Sequence, residues 1–220
     1  MKILALDGAL GAFSAAVAFD DVVRASASLS GNVALERGLA LASVVLEGAQ
    51  MDSEVPDRIA VGIGPGSFTG LRIAIAYAKS LAQAWNVPIC GISSFDALEL
   101  GTAERDVLAV VSPRKGIVSL RLRNGAVSFR ASGPVLQAVD QVLAQGAFPQ
   151  TVIGAPEDVI DALAERGIVA IAQPPAVTPA AAAIALIAAN SKPEQSVHAL
   201  AADYGELPAA KVPARPWNRA

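Results

Sequence analysis

The order of apolar and polar positions predicts a protein of alternating strands and helices. Residues 2–7, 14–19 and 22–29 are short apolar or alternating segments, and they indicate an antiparallel meander of three strands. From Val33 to Ala49 apolar residues recur at helical spacing on more than one face. Two continuously apolar strands follow, at residues 58–63 and 87–92, with the helix Phe68–Trp85 between them.

The second half of the chain repeats this order in a weaker form. A strand at 106–112 leads into a hairpin whose Asn124-Gly125 pair favours a type I′ turn. Further helices are predicted near 95–100, 134–144, 156–166 and 178–190, and short strands at 151–154 and 168–172. We therefore expect a two-lobed α/β protein. Its predicted parts are a lobe at 1–100, a smaller lobe at 101–190, and an extended tail at 191–220 that packs back on the first lobe.

The helix Phe68–Trp85 has more apolar surface than a single contact can cover, since only Arg72 and Lys79 are charged. One side can pack on the sheet of its own lobe. The other side would leave an apolar patch in water, which monomers rarely tolerate. Burial of the whole helix between the two lobes is the alternative, and we favour a helix-on-helix interface with another polypeptide. The candidate interface residues are Leu35, Leu39, Phe68, Leu71, Ala74, Ile75, Ala78, Ala82 and Trp85.

The loop before this helix has the composition of a phosphate site. Gly64 and Gly66 would let a phosphate approach the backbone, and Ser67 or Thr69 would add hydroxyl donors at the helix N-terminus. The P-loop lysine is missing, and the spacing does not match a dinucleotide fingerprint. The alternative is that the glycines form a tight turn, that Ser67 caps the helix, and that Asp7 with its following glycine belongs to a hairpin turn.

Composition excludes several other classes of protein. Apolar residues make up 53% of the chain and charged residues 17%, but no apolar run is long enough to predict a membrane-spanning helix. His198 is the only histidine and Cys90 the only cysteine, so a site with two histidines cannot form and a self-sufficient protease is disfavoured. We expect no metal site and no catalytic residues in this chain.

The net charge of −3 gives no general attraction to nucleic acid. A local basic block lies in the predicted hairpin, at Arg114, Lys115, Arg121, Arg123 and Arg130. We expect it to be a solvated strand face. A weak contact with an RNA backbone is the lesser alternative, because no aromatic residues are interleaved for base stacking.

The segment "AVGIGPGSFTGLRIAIAYAKSLA" closely resembles the signature of the bacterial TsaB (YeaZ) family, in which "GxGPGSFTGLRIG" runs from a strand into an interface helix. The opening "KILALD", the stretch "VPICGISSFDAL" and the segment "SPRKGIVSL" are also similar to the family. The similarity is strong over residues 58–98, moderate over the N-terminal strands and faint beyond about residue 130.

The resemblance implies a two-lobed actin-like (ASKHA, ribonuclease H-like) fold with mixed sheets flanked by helices. It implies a non-catalytic relative of the transferase TsaD that pairs with TsaD through the two N-lobe helices, and with itself when TsaD is absent. With a TsaE-like ATPase, this cytoplasmic assembly would install threonylcarbamoyl (t6A) on adenosine 37 of tRNA. The chain itself would need no cofactor and no membrane, any ATP or ADP with Mg²⁺ would bind at the partner interface, and contact with tRNA would be weak or indirect.

Departures from the family pattern bear on nucleotide binding. Asp7-Gly8-Ala9 stands where the family usually has Asp-Thr-Ser, and Ser112-Pro113-Arg114 stands where it has Asp-Ala-Arg. Such changes remove polar groups from the cleft between the lobes. Asp7, Gly64, Gly66, Ser67 and Thr69 are therefore expected to be a vestigial nucleotide site. The alternative is an active ASKHA-fold ATPase or phosphotransferase that uses Asp7 and the Gly64–Ser67 loop.

Overall fold

The computed structural model describes residues 1–30, 37–51 and 53–205, which form two five-stranded sheets with helices. In chain order the elements are β1 (Lys2–Asp7), β2 (Phe13–Phe19), β3 (Val22–Leu29), α1 (Gly38–Gly48), β4 (Arg58–Gly64), α2 (Phe68–Trp85), β5 (Ile89–Ser93), α3 (Ser94–Glu99), β6 (Asp106–Arg114), β7 (Ile117–Asn124), β8 (Val127–Pro134), α4 (Val135–Leu143), β9 (Thr151–Ile153), α5 (Glu157–Ala164), β10 (Ile171–Gln173) and α6 (Ala180–Ala188). Among the described residues, no helix combines the length and the apolar character needed to cross a bilayer.

The first sheet has the strand order β3-β2-β1-β4-β5. Its first three strands pair antiparallel, while β4 and β5 run parallel to β1. Side chains of β1 alternate between two apolar layers, as strand geometry requires. Leu4 and Leu6 pack with α1 and α2 on one face, and Ile3 and Ala5 pack with α6 on the other. Both faces of β1, β2 and β4 are covered, which explains why these strands are almost continuously apolar.

The second sheet repeats the plan in the order β10-β9-β6-β7-β8. On one face Leu108 and Leu120 pack with α4 and α5, and on the other Val107 and Ala109 pack with Phe95 of α3. The short helix α3 therefore lies between the two sheets. The predicted two-lobed α/β architecture with mixed sheets is confirmed.

Helix α2 has the predicted bounds because a capping residue stands at each of its ends. The Ser67 hydroxyl accepts a hydrogen bond from the Gly70 N–H (3.3 Å), which caps the first turn. Asn86 ends the helix in the left-handed conformation, with φ of 52°.

The expected boundary of the second lobe at residue 190 is wrong. Helix α6 packs on the first sheet, against β1 and β2, although it follows the strands of the second sheet in the chain. Its run of alanines is small enough to lie close to the alanines at positions 16, 18 and 60. The lobe built on the second sheet therefore ends before α6.

The described part of the tail returns to the first sheet. The Glu194 N–H donates to the Ile89 carbonyl (2.8 Å), and the Asp203 N–H donates to the Ile63 carbonyl (2.7 Å). Leu200 is buried in the layer that contains α2. The predicted helix start at Val33, the candidate Leu35 and the tail from residue 206 lie outside the described residues.

Candidate functional site

The glycine loop between β4 and α2 is packed against the turn that follows β1. The Ser67 N–H, one of the donors expected to bind a phosphate, donates instead to the Ala9 carbonyl (2.9 Å). A Cβ added to Gly66 would lie 2.2 Å from the Ala9 carbonyl oxygen, and one added to Gly70 would lie 1.9 Å from that of Gly8. The glycines therefore allow close approach of the chain's own backbone.

The other expected phosphate ligands do not form an open cradle. Gly64 is buried, and a Cβ there would lie 2.1 Å from the Asp203 carbonyl oxygen in the returning tail. The Ser67 hydroxyl caps α2, and Thr69 is exposed on its first turn. Gly64, Gly66 and Ser67 thus have the geometry of the tight turn and helix cap, and a vestigial phosphate site at these residues stays a prediction. Donors that are bonded within the chain are not free to bind an anion.

Asp7 lies at the end of β1 on the side that faces α6, and its side chain is fully buried. Its Oδ2 accepts a hydrogen bond from the Leu10 N–H (3.0 Å), whereas Oδ1 has no partner among the described residues. A Cβ at Gly62 would lie 2.1 Å from Oδ1, so only glycine fits beside the carboxylate. Burial raises the pKa of Asp7 to about 6, although backbone hydrogen bonds from Leu10 and Ala9 lower it. In this arrangement the carboxylate reaches no surface of the protein.

The described residues offer few side chains that could form a metal site or act as a nucleophile. Within the described residues no group of three or more His, Cys, Asp and Glu side chains is placed to hold a metal ion. His198 is exposed, and Cys90 is buried in β5, where burial raises the pKa of its thiol to about 11.

One stripe of α2, which we expected to meet a partner, is part of the chain's own core. Leu71, Ala74, Ile75, Ala78 and Ala82 are buried against the first sheet. These five assignments are corrected, because a side chain already enclosed by its own lobe cannot contact a second protein without unfolding. The helix has apolar residues on two sides, and periodicity alone did not tell which side was the core.

The opposite side of α2 continues into the exposed side of α1. The N-terminal end of α1 meets the middle of α2, since a Cβ at Gly38 would lie 2.9 Å from the Tyr77 ring. Trp85 is half-buried and lines a groove between α2 and α1, together with Leu46 and Glu47. We call this surface the α1–α2 face, and define it by Leu39, Ala40, Val44, Phe68, Ile73, Ala76, Ser80 and Ala84. It retains Leu39 and Phe68 of the expected interface residues.

The basic block is not a solvated strand face. Arg121 donates from Nε to Glu99 (2.9 Å) and from Nη1 to Asp96 (2.5 Å), both on α3. Arg123 also donates to Glu99 (2.7 Å), and Arg130 donates to Asp203 in the tail (3.1 Å). The alternation with leucines did place these side chains on one face of β7, but α3 covers that face.

The remaining two members of the block, Arg114 and Lys115, lie exposed at the tip of the β6–β7 hairpin. Three of the five cations thus hold the lobes together and are not free to bind RNA. Sequence reasoning missed these ion pairs because the acidic partners come from a distant helix and from the tail.

Comparison with known proteins identifies relatives of this chain. A family model described as tRNA N6-adenosine threonylcarbamoyltransferase (TsaD) matches residues 35–206. The tRNA threonylcarbamoyladenosine biosynthesis protein TsaB of Escherichia coli is 34% identical over 122 residues, which are 54% of this chain and 53% of the relative. The chain spans about half the length of the curated relatives it matches.

Solved structures support the fold. A Pseudomonas aeruginosa protein described as similar to peptidase YEAZ superposes with a TM-score of 0.72 at 22% identity, over 93% of this chain and 99% of that one. YeaZ from the same organism gives a TM-score of 0.64 at 23% identity, over 85% and 90% of the two chains. The expected ASKHA-type two-lobed fold is confirmed.

Proposed function

Because the chain belongs to the TsaB (YeaZ) branch of the TsaD family, we propose that it is a non-catalytic scaffolding subunit that pairs with a TsaD-like transferase. The pair would serve the transfer of threonylcarbamoyl to adenosine 37 of tRNA, the t6A modification. A TsaE-like ATPase would join the assembly, and the chain would form a homodimer when the transferase is absent. It would act in the cytoplasm.

The closed state of the candidate nucleotide site is the observation that carries the non-catalytic part of this proposal. Asp7 has no exposed surface, and the Ser67 N–H is bonded to Ala9. An ATPase or phosphotransferase that used Asp7 and the Gly64–Ser67 loop would have to separate α2 from the β1–β2 turn. Backbone groups as close as those of Gly8 and Gly70 leave no room for a phosphate between them.

The α1–α2 face supports the proposed pairing with the TsaD-like transferase. Leu39, Val44 and Phe68 are each about half exposed, and small residues such as Ala76 and Ala84 lie between them on α2. Small residues let the backbone of a second helix come close. The larger apolar side chains around them gain free energy when a partner removes them from water. A subunit without its own active site can influence catalysis only through contacts that favour one conformation of its partner.

A single arginine on the α1–α2 face tests the pairing. Ala76→Arg places a charge at the exposed centre of α2, and we expect it to abolish binding to the TsaD-like transferase of the same genome while the fold is kept. Ala164→Arg, on the exposed side of α5, is the matched control and should bind normally. Binding would be measured by isothermal titration calorimetry. Equal affinity of the Ala76→Arg and Ala164→Arg variants would contradict the proposed face.

Titration of the isolated chain with Mg-ATP tests the non-catalytic assignment. We expect no binding at micromolar nucleotide and no release of phosphate, since Asp7 is enclosed and the loop donors are bonded. Micromolar affinity with turnover would support the ATPase instead. The same titration on the assembled pair tests whether ATP or ADP with Mg²⁺ binds at the partner interface.

A further inference from the structure

Two exposed aromatic rings stack on each other at the N-terminal end of α2. Phe68 is 56% exposed and Tyr204 is 41% exposed, with ring centroids 5.1 Å apart and planes tilted by 36°. The guanidinium of Arg72, one turn along the helix, lies 5.2 Å from the centre of the Phe68 ring. The few residues that carry most of the binding energy in protein interfaces are enriched in Trp, Tyr and Arg, so this cluster has the composition of an anchor.

Tyr204 is held in place by its neighbour in the tail. The Asp203 N–H donates to the Ile63 carbonyl of β4 (2.7 Å), and the Asp203 carboxylate accepts from Arg130 of β8 (3.1 Å). The other carboxylate oxygen accepts from the Gly205 N–H (2.9 Å). The segment is thus fastened to both lobes, which lowers the entropy lost when a partner binds the tyrosine ring.

The cluster extends the α1–α2 face on the flank away from α1. Phe68 and Tyr77 are nine residues apart, so they point in directions about 180° apart around a helix of 3.6 residues per turn. Tyr77 lies against α1 at Gly38, which places Phe68 and Tyr204 on the other flank. A partner that crosses α2 from α1 would therefore reach the tail.

Charge indicates which kind of partner fits. Helix α2 carries Arg72 and Lys79 and no acidic residue. A second copy that set its α2 against this one would bring four cations together, so a homodimer should be weaker than a pair with a protein of complementary charge. A different protein with acidic side chains opposite Arg72 and Lys79 would complement the surface.

We propose that Phe68, Arg72 and Tyr204 form an anchor for the TsaD-like transferase, and that the C-terminal segment is thereby part of the docking surface. This inference rests on the proposed function. The transferase presents carboxylates to Arg72 and covers both rings.

Calorimetric titration with the TsaD-like transferase of the same genome tests the anchor. Phe68→Ala and Tyr204→Ala should each weaken binding at least about tenfold. Their double variant should lose less than the product of the two effects, because the rings contact each other. Phe148→Ala is the matched control, since this ring is 59% exposed on the second lobe and should not affect binding. Arg72→Glu should weaken binding and remove part of its salt dependence.

Tyr204→Phe keeps the ring and should retain the affinity, which would show that the ring and not the hydroxyl makes the contact. If the Phe68→Ala and Tyr204→Ala variants bind like Phe148→Ala, the anchor is refuted. The proposed function would survive that result as long as Ala76→Arg still abolishes pairing. Failure of the unaltered chain to bind the transferase would overturn both.

Discussion

Replacing Asp7 by asparagine tests whether the carboxylate after β1 is a buried structural group or part of a nucleotide site. Burial raises the pKa of Asp7 from 3.8 to about 6, against the lowering effect of backbone hydrogen bonds from Leu10 and Ala9. The folded protein therefore binds this proton more tightly than the unfolded chain. Protonated Asp7 favours folding below the unfolded pKa, and this contribution is lost as the pH rises through the folded pKa.

The size of the pH-dependent change in the free energy of unfolding follows from these two pKa values. The whole shift corresponds to about 3 kcal/mol, of which about 2 kcal/mol is lost between about pH 4.5 and about pH 7.5. Asparagine does not titrate there. The free energy of unfolding of Asp7→Asn, relative to the unaltered protein, should therefore rise by about 2 kcal/mol over this interval. The amide leaves an N–H donor without a partner in place of Oδ1, which lowers stability equally at every pH and does not affect this slope.

Urea unfolding at a series of pH values, followed by circular dichroism, measures the difference. Asp161→Asn, an exposed aspartate of α5, controls for the loss of one negative charge. Parallel pH profiles of Asp7→Asn and the unaltered protein would refute the reasoning, because they would show that the carboxylate is hydrated in the folded state.

Three further variants and one chemical reaction test other parts of the structure. Gly70→Ala should lower the free energy of unfolding by at least about 2 kcal/mol in urea, since its Cβ would clash with the Gly8 carbonyl; stability within 0.5 kcal/mol or so of the unaltered protein would contradict this contact. Glu99→Gln should cost about 2 kcal/mol in thermal or urea unfolding because the Glu99 side chain is only 8% exposed. Asp140→Asn breaks an exposed ion pair and should cost much less than Glu99→Gln, so equal losses in the two variants would contradict a stabilising role for the pairs of Glu99 with Arg121 and Arg123. Cys90, with a buried thiol of raised pKa, should react with a thiol reagent only after unfolding, and rapid reaction in native buffer would show that β5 opens.

Much of the fold was predictable because local sequence carries it. Helix α2 begins and ends where the cap residues Ser67 and Asn86 place it, and β3 has the predicted bounds of residues 22–29. These signals act over a few residues, so neighbouring positions suffice to detect them. The same holds for the glycine loop, whose tight-turn interpretation required only the identity of its residues.

The candidate sites were harder to predict because they depend on contacts distant in sequence. The pair of Arg130 and Asp203 joins residues 73 positions apart, and the hydrogen bond from Ala181 to Ser14 joins residues 167 apart. No spacing rule connects such residues. Helix α6 was assigned to the wrong lobe for the same reason, since nothing local shows that its alanines match those of the first sheet.

The sequence by itself determined the type and order of the elements, the division into two lobes, and the family resemblance carried by the segment from Gly62 to Trp85. Only the tertiary structure decided which side of α2 is core, which acids pair with Arg121 and Arg123, and that Asp7 is enclosed. Periodicity shows that a helix has two apolar sides, but burial depends on what the rest of the chain places against each of them.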